Sequence, residues 1–415
     1  MKKVAFLTLL AASVLAAADE QQAALQRKAK SAFELAVLSA QPQLGETIDC
    51  VQAQAALLPV ASRDEAPIIY YRKGYCALMA AAVTQNAGGF RDSAAAFDQA
   101  LTAWPGRVKL VKGKPPEQGP SVLMVLSAIA RLEAGVENGA RDDMTVGAGR
   151  STCSAELMTA AACQSVFRAG REWLGWIALR HDDLPEAVRD LADLPDSFWA
   201  HWVKGKQAFA QGRYRDAAIE YGASLELGRT NQTRWRSNWM LRLGPQPRMG
   251  TSLTDLGGAQ LLAGEPALAI STLDAAIAAA IDADPQNARA YYLRARAREL
   301  AGQAEAALTD YNLAARTAYA GAEDLVSGEA HLYRGILLYR RKDFERAEDE
   351  FSSALNVDLA PGLRGDAVAW RHMAAVASGA CDSSYRLLEG SLASVSPYFP
   401  KTEAISLMAS CSGTL

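Results

Sequence analysis

One spacing recurs along the chain and limits its fold more than any other feature. A small residue is followed 12 positions later by Ala, 4 positions further by a large apolar residue, and 3 further by a small or apolar one. Gly205, Ala217, Tyr221 and Ser224 fit it. So do Gly257, Ala269, Leu273 and Ala276; Ala295, Ala307, Tyr311 and Ala314; and Gly335, Ala347, Phe351 and Ala354. Gly175, Ala187, Leu191 and Leu194 make a fifth copy that ends in a larger residue. Seven positions after each first small residue stand Asp182, Gly212, Gly264, Gly302 and Lys342. Each marks a turn between two helices, and Gly there ends a helix through the left-handed conformation at little cost. The spacing predicts antiparallel helix pairs whose backbones approach at the small residues, with the large apolar residue filling a groove made with the next pair. No single pair buries its own apolar face, so the pairs must stack into a solenoid.

The segments Tyr291-Tyr292-Leu293-Arg294-Ala295 with Gly302-Gln303-Ala304-Glu305-Ala306-Ala307-Leu308, and Leu332-Tyr333-Arg334-Gly335 with Lys342-Asp343-Phe344-Glu345-Arg346-Ala347, resemble the tetratricopeptide repeat family. Phe198 to Ser224 is similar. The resemblance implies an all-α fold, an α-solenoid with a superhelical stack, and a binding rather than a catalytic role. Successive central alanines are 30, 52, 38 and 40 residues apart, whereas the family repeat is about 34 residues long, so insertions lie between the pairs.

The organisation expected is a leader over residues 1–18, an N-terminal helical region over 19–165, a repeat array over 166–360 with an insertion at 229–250, and capping helices over 361–415. Tyr70 to Trp104 reads as a diverged copy, its first helix extended to about Gln85 before a break at Gly88-Gly89. Residues 121–135 read as a helix, Glu137 to Ser151 as a loop, and 366–378, 382–393 and 402–410 as terminal helices. No run of alternating β-branched residues argues for a sheet.

The leader is read from Lys2 and Lys3, an apolar stretch from Val4 to Leu15, and the small residues Ala16-Ala17-Ala18. It predicts export, to a periplasm or beyond the cell. No later segment approaches the ~18 apolar residues of a membrane span. Six cysteines suit an oxidising destination. Cys50 and Cys76 are nearly equidistant from the break at Ala61–Asp64, and Cys381 and Cys411 from Ser394–Pro397, so both pairs fall opposite each other on antiparallel helices and staple the two ends. Cys153 and Cys163 pair by elimination, but ten residues of continuous helix would separate their Cα atoms by about 15 Å. That pair therefore needs Cys153 outside the helix; free buried thiols are the other possibility.

A formal net charge of -3 gives no reason to expect nucleic acid as a partner. There is no Gly-x-Ser-x-Gly elbow, phosphate-cradling loop or His-Glu-x-x-His, and His181, His201, His331 and His372 fall in different repeats. No enzyme, metal or cofactor is implied.

The family resemblance places the first helix of each pair along a concave groove. The residues flanking its packed small residue are then Trp176; Trp199, Trp202, Lys206 and Phe209; Thr254 and Leu261; Arg289, Tyr292, Arg296 and Glu299; and Leu332, Ile336 and Tyr339. Aromatic and arginine side chains anchor interfaces most often, and Trp202, Lys206, Arg289, Tyr292, Arg296 and Tyr339 are the partner-binding candidates. Several of these aromatics could equally be inter-pair core. A second candidate is the insertion, with Arg229, Arg234, Trp235, Arg236, Trp239, Arg242 and Arg248 and no acidic residue from Leu227 to Thr254. Trp and Arg in alternation suit an anionic glycan, a phosphate-bearing lipid or an acidic peptide; the other reading is a long helix with its arginines in solvent. Arg107, Lys109, Lys112 and Lys114 read as a solvated loop. Two functions stand: a scaffold taking a protein or peptide partner in its groove, or a binder of an anionic envelope ligand through the insertion.

Overall fold

A computed structural model describes residues 19–36, 43–104, 120–235, 243–246, 249–279, 287–321 and 324–412. Among these residues there is no strand, and nearly all of the regular structure is α-helix. The leader expected over residues 1–18 and the basic stretch at 107–114 lie outside them. Residues 19–36 form α1, followed by α2 (Leu44–Leu57), α3 (Ala66–Thr84), α4 (Ala87–Ala103), α5 (Ser121–Glu133), α6 (Ala140–Arg150), α7 (Ala160–Arg180) and α8 (Leu184–Leu191). Then come α9 (Phe198–Ala210), α10 (Tyr214–Trp235), α11 (Met249–Leu262), α12 (Pro266–Ala279), α13 (Asn287–Leu300) and α14 (Ala304–Gly321). The last are α15 (Asp324–Arg340), α16 (Phe344–Leu355), α17 (Pro361–Ala377), α18 (Cys381–Ser391) and α19 (Lys401–Ser412).

The helices divide into two compact units. Unit 1 takes Met1–Val203 with Glu226–Gln246; unit 2 takes Lys204–Leu225 with Pro247–Leu415. The division passes through α9 and α10.

The repeated spacing is the architecture. Each copy is one helix hairpin: α7 with α8, α9 with α10, α11 with α12, α13 with α14, and α15 with α16. All five turn residues are left-handed: Asp182 at φ 57°, Gly212 at 72°, Gly264 at 84°, Gly302 at 74° and Lys342 at 65°. A side chain strains that conformation by about 1–2 kcal/mol per residue. Lys342→Gly should therefore raise the stability of unit 2 by about 1 kcal/mol in urea unfolding; a loss would mean that the Lys342 stem packs better than it appears from its exposure.

The central alanines and large apolar residues of every copy are buried. Their packing departs from expectation in one respect. A Cβ added to Gly205 would lie 2.6 Å from the Tyr221 ring, one on Gly257 2.5 Å from Leu273, one on Gly335 2.7 Å from Phe351, and one on Gly175 2.5 Å from Leu191. The large residue thus fills the hole above the glycine of its own hairpin, 16 positions earlier, while Phe351 also stacks on Trp370 of the next pair at 6.1 Å. Side chain into hole, and not backbone against backbone, is what the small residue permits.

The same register continues beyond the expected array. His372, Ser384, Leu388 and Ser391 keep the offsets of 12, 4 and 3 residues and are buried, and Gly379, seven after His372, is left-handed at φ 107°. The first two terminal helices, α17 and α18, are therefore a sixth, degenerate hairpin, and α19 packs on both as the cap. At the other end, a Cβ added to Gly74 of α3 would lie 3.0 Å from the Phe97 ring of α4, a similar close approach between longer arms.

Two expectations fail. The presumed loop at Glu137–Ser151 contains α6, entered through left-handed Gly139 and carrying Asp142 and Asp143 in its first turn, where they face the helix N-terminus. Its glycines misled: Gly147 is there because a Cβ would lie 2.8 Å from Val125 of α5. Nor does Gly88-Gly89 break the chain. The turn is at Gln85, φ 53°, and Asn86 caps α4 by accepting from the Gly88 amide at 2.9 Å.

Three disulfides close as paired above. Cys50–Cys76 joins α2 to α3, and Cys381–Cys411 joins α18 to α19, with Cα atoms 6.1 and 5.6 Å apart. Cys153 lies in the non-helical stretch before α7, so that its Cα comes within 6.3 Å of Cys163.

Candidate functional site

The first helices of the hairpins in unit 2 leave an open groove of about 1130 Å³. Residues of α13, α15 and α17 line it, together with Leu262 at the end of α11 and the segment 396–403. At one end the Arg296 guanidinium lies 3.9 Å over the Tyr333 ring and 3.5 Å from Glu299. Glu299 also accepts from the Tyr311 hydroxyl and from Arg340 Nη1, both at 2.8 Å. The Tyr292 ring stands 6.0 Å from Tyr333 and 6.3 Å from Tyr311. Burial, reinforced by Glu329 beside Tyr292 and Glu299 beside Tyr311, holds both phenols well above their usual range, so they act as neutral donors.

The other end is aromatic. Trp370 of α17 packs edge-on against Tyr339 at 5.1 Å and Phe399 at 5.4 Å. Burial first, and then the Glu403 carboxylate that Tyr339 bonds to, push the Tyr339 hydroxyl up to about 12. Asp366 accepts from the Ser396 amide at 2.7 Å and its hydroxyl at 2.6 Å. That anchors the connection into α19 and leaves Tyr398 95% exposed at the rim. The result is an apolar, aromatic floor with charges of both signs at the edge, which suits a peptide: side chains can be buried while backbone and charged groups find partners.

Of the candidate residues, Arg296 and Tyr339 line this groove, Tyr339 by a mostly buried ring. Tyr292 lies behind Tyr333. Lys206 and Arg289 meet elsewhere, at Asp255 of α11: Lys206 Nζ is 3.5 Å and Arg289 Nη1 3.2 Å from its carboxylate. The Asp255 side chain is only 3% exposed, so the two cations compensate a charge that burial would otherwise make costly. Trp202 stacks edge-on against Trp199 at 5.4 Å in unit 1. Thr254, Leu261 and Trp199 are buried, whereas Leu332, though buried, lines the groove. In the insertion, Arg234 and Trp235 fall in the last turn of α10, but their side chains, and all of Arg236, Trp239 and Arg242, lie outside the described residues.

Sequence reading overlooked Asp255, and also Trp370, Asp366, Tyr398 and Phe399, because the sixth hairpin was not recognised. It also overlooked an ion pair built on the same spacing of 16. Arg294, just before Ala295, pairs with Asp310 at 2.7 Å; Arg334, just before Gly335, pairs with Glu350 at 2.8 Å. Arg298 adds a second bond to Asp310 at 2.7 Å, and Arg294 reaches Asp274 of α12 at 2.6 Å. Among the described residues no group of three or more His, Cys, Asp or Glu side chains could hold a metal ion. No helix there is long and apolar enough to cross a membrane.

The tetratricopeptide repeat model matches residues 254–323 and 314–363, the segment from α11 to the start of α17. Over these residues the chain carries tetratricopeptide repeats. No curated protein matches it in sequence. Similar solved structures include MamA protein, at 17% identity over 48% of this chain and 93% of that one, with a TM-score of 0.36. A tetratricopeptide repeat protein from Parabacteroides merdae is similar at 13% identity over 70% of this chain and 100% of that one, with a TM-score of 0.38. Yeast Tom70 is similar at 12% identity over 95% of this chain and 96% of that one, with a TM-score of 0.40.

Proposed function

We propose that the chain is an exported, non-catalytic scaffold that seats an extended protein segment in the groove between α13, α15, α17 and residues 396–403. The observation that carries this is the groove itself: an aromatic floor at Trp370, Phe399 and Tyr339, an exposed aromatic at Tyr398, and arginines at the rim. Export is supported by the leader-like pattern of residues 1–18 and by the pairing of all six cysteines, which a reducing cytosol would not maintain.

Tyr398 and Arg340 are both well exposed, so replacing them should not unfold the protein. A photo-crosslinking residue at Tyr398 should trap a protein from an envelope extract, and the same residue at exposed Ile219, away from the groove, should not. Tyr398→Ala with Arg340→Glu should weaken binding of the trapped partner at least tenfold, about 1.4 kcal/mol. Unchanged binding would sink the groove reading. If binding instead falls steeply with salt and is lost in Arg234→Ser, Arg236→Ser, Arg242→Ser, the ligand is an anionic glycan or lipid held by the insertion.

A further inference from the structure

Unit 1 holds a piece of its own chain as a receptor holds a peptide. Leu243, Gly244 and Pro245 are all buried. Trp173 of α7 donates its indole N–H to the Leu243 carbonyl at 2.7 Å, and Trp199 of α9 donates to the Pro245 carbonyl at 2.8 Å. The two acceptors are alternate carbonyls on either side of a backbone bend at Leu243 and Gly244. Leu243 belongs to the buried hydrophobic cluster of unit 1 that also holds Trp173 and Phe167. Between the two indoles, Gly244 faces Glu172: a Cβ there would lie 2.5 Å from Oε2. Glu172 cannot easily move aside, because Ser197 donates to it at 2.7 Å and Arg168 lies 3.7 Å away. Pro at the third position brings no amide that would need a partner.

The three positions are therefore read separately: an apolar pocket for Leu, exclusion of any side chain at Gly, and a carbonyl clamp at Pro. The filling segment also lies in the one long insertion between hairpins, where central alanines are 52 residues apart instead of 30 to 40. The glycine locks at Gly205 and Gly257 on either side of it are complete without it.

We propose that α7 and α9 form a second peptide site, selective for a bent Leu-Gly-Pro segment, which residues 243–245 fill in cis and a partner segment of the same chemistry fills in trans. A tethered ligand has an effective concentration in the millimolar range, so the intact chain competes strongly against any free peptide.

The probe is a labelled synthetic peptide, Leu-Arg-Leu-Gly-Pro-Gln-Pro-Arg, identical to residues 241–248. Fluorescence anisotropy should show the full chain carrying Leu243→Ser binding it at least tenfold more tightly than the unaltered chain. Adding Trp173→Phe and Trp199→Phe, which remove the indole donors but keep aromatic bulk, should reverse that gain. A peptide with Val in place of Gly should lose tenfold or more. The proposal is overturned if folded Leu243→Ser binds no more tightly than the unaltered chain, or if the Val peptide binds as well as the Gly peptide. If circular dichroism shows Leu243→Ser to be unfolded, Gly244→Ala, which crowds Glu172 and removes no core side chain, is measured with the same two outcomes.

Discussion

Asp310→Ala should destabilise unit 2 by about 2–4 kcal/mol, read as a lower urea midpoint. The Asp310 side chain is 1% exposed and accepts from Arg294 Nε and Nη2 and from Arg298 Nη1. Removing one partner of a buried ion pair usually costs about 3–5 kcal/mol, because the remaining charge is left desolvated. Here the arginines keep some solvent, at 13% and 20% exposure, and Arg294 retains Asp274, so the expected loss is set about 1 kcal/mol below that range. Asp310→Asn preserves the shape and one acceptor and should lose less. A loss below about 1 kcal/mol for Asp310→Ala would show that the network positions α13 on α14 without contributing measurably to stability.

Phe351→Ala should cost about 3–5 kcal/mol, the usual range for emptying an aromatic core site. Phe351 is fully buried and its ring edge fills the space above Gly335, within 2.7 Å of where a Cβ would stand. That geometry makes a second, sharper expectation. Gly335→Val alone should also destabilise, by about 1–3 kcal/mol through overpacking. Combined with Phe351→Ala, the valine enters space the ring has left, so the double variant should be more stable than the sum of the two losses predicts. Simple additivity in a double-mutant cycle would mean that the ring and the glycine are not a matched pair.

Much of this hairpin geometry is legible in the sequence because it depends on local backbone and volume. A left-handed turn residue, a glycine and a bulky residue at fixed offsets specify a hairpin wherever they occur, and the disulfides at Cys50–Cys76 and Cys381–Cys411 follow once two helices are known to be antiparallel. Where the same residue types serve another purpose, local reasoning fails. Gly147 looks like a loop signal but is a close-packing site, and His372 hides a repeat because it stands where the pattern expects a small residue. The site is harder still. Whether Trp199 faces a ligand or the core depends on what else reaches it, and its partner, the Pro245 carbonyl, lies 46 residues away. Lys206 and Arg289 read as partner-binding candidates because nothing nearby in the chain announces Asp255 as their shared counter-ion.

The glycine locks carry a consequence for how such a chain can change over generations. Each glycine is filled by the partner helix of its own hairpin, so a hairpin travels with both halves of its lock. Duplicating, deleting or spacing out a hairpin leaves every lock intact, and only the contacts between neighbours need readjustment. A lineage built this way can lengthen a linker into a 52-residue interval, or let one copy decay to a histidine and two serines, without a compensating change elsewhere. New recognition can then be tried in the intervals while the frame that presents it is inherited unchanged.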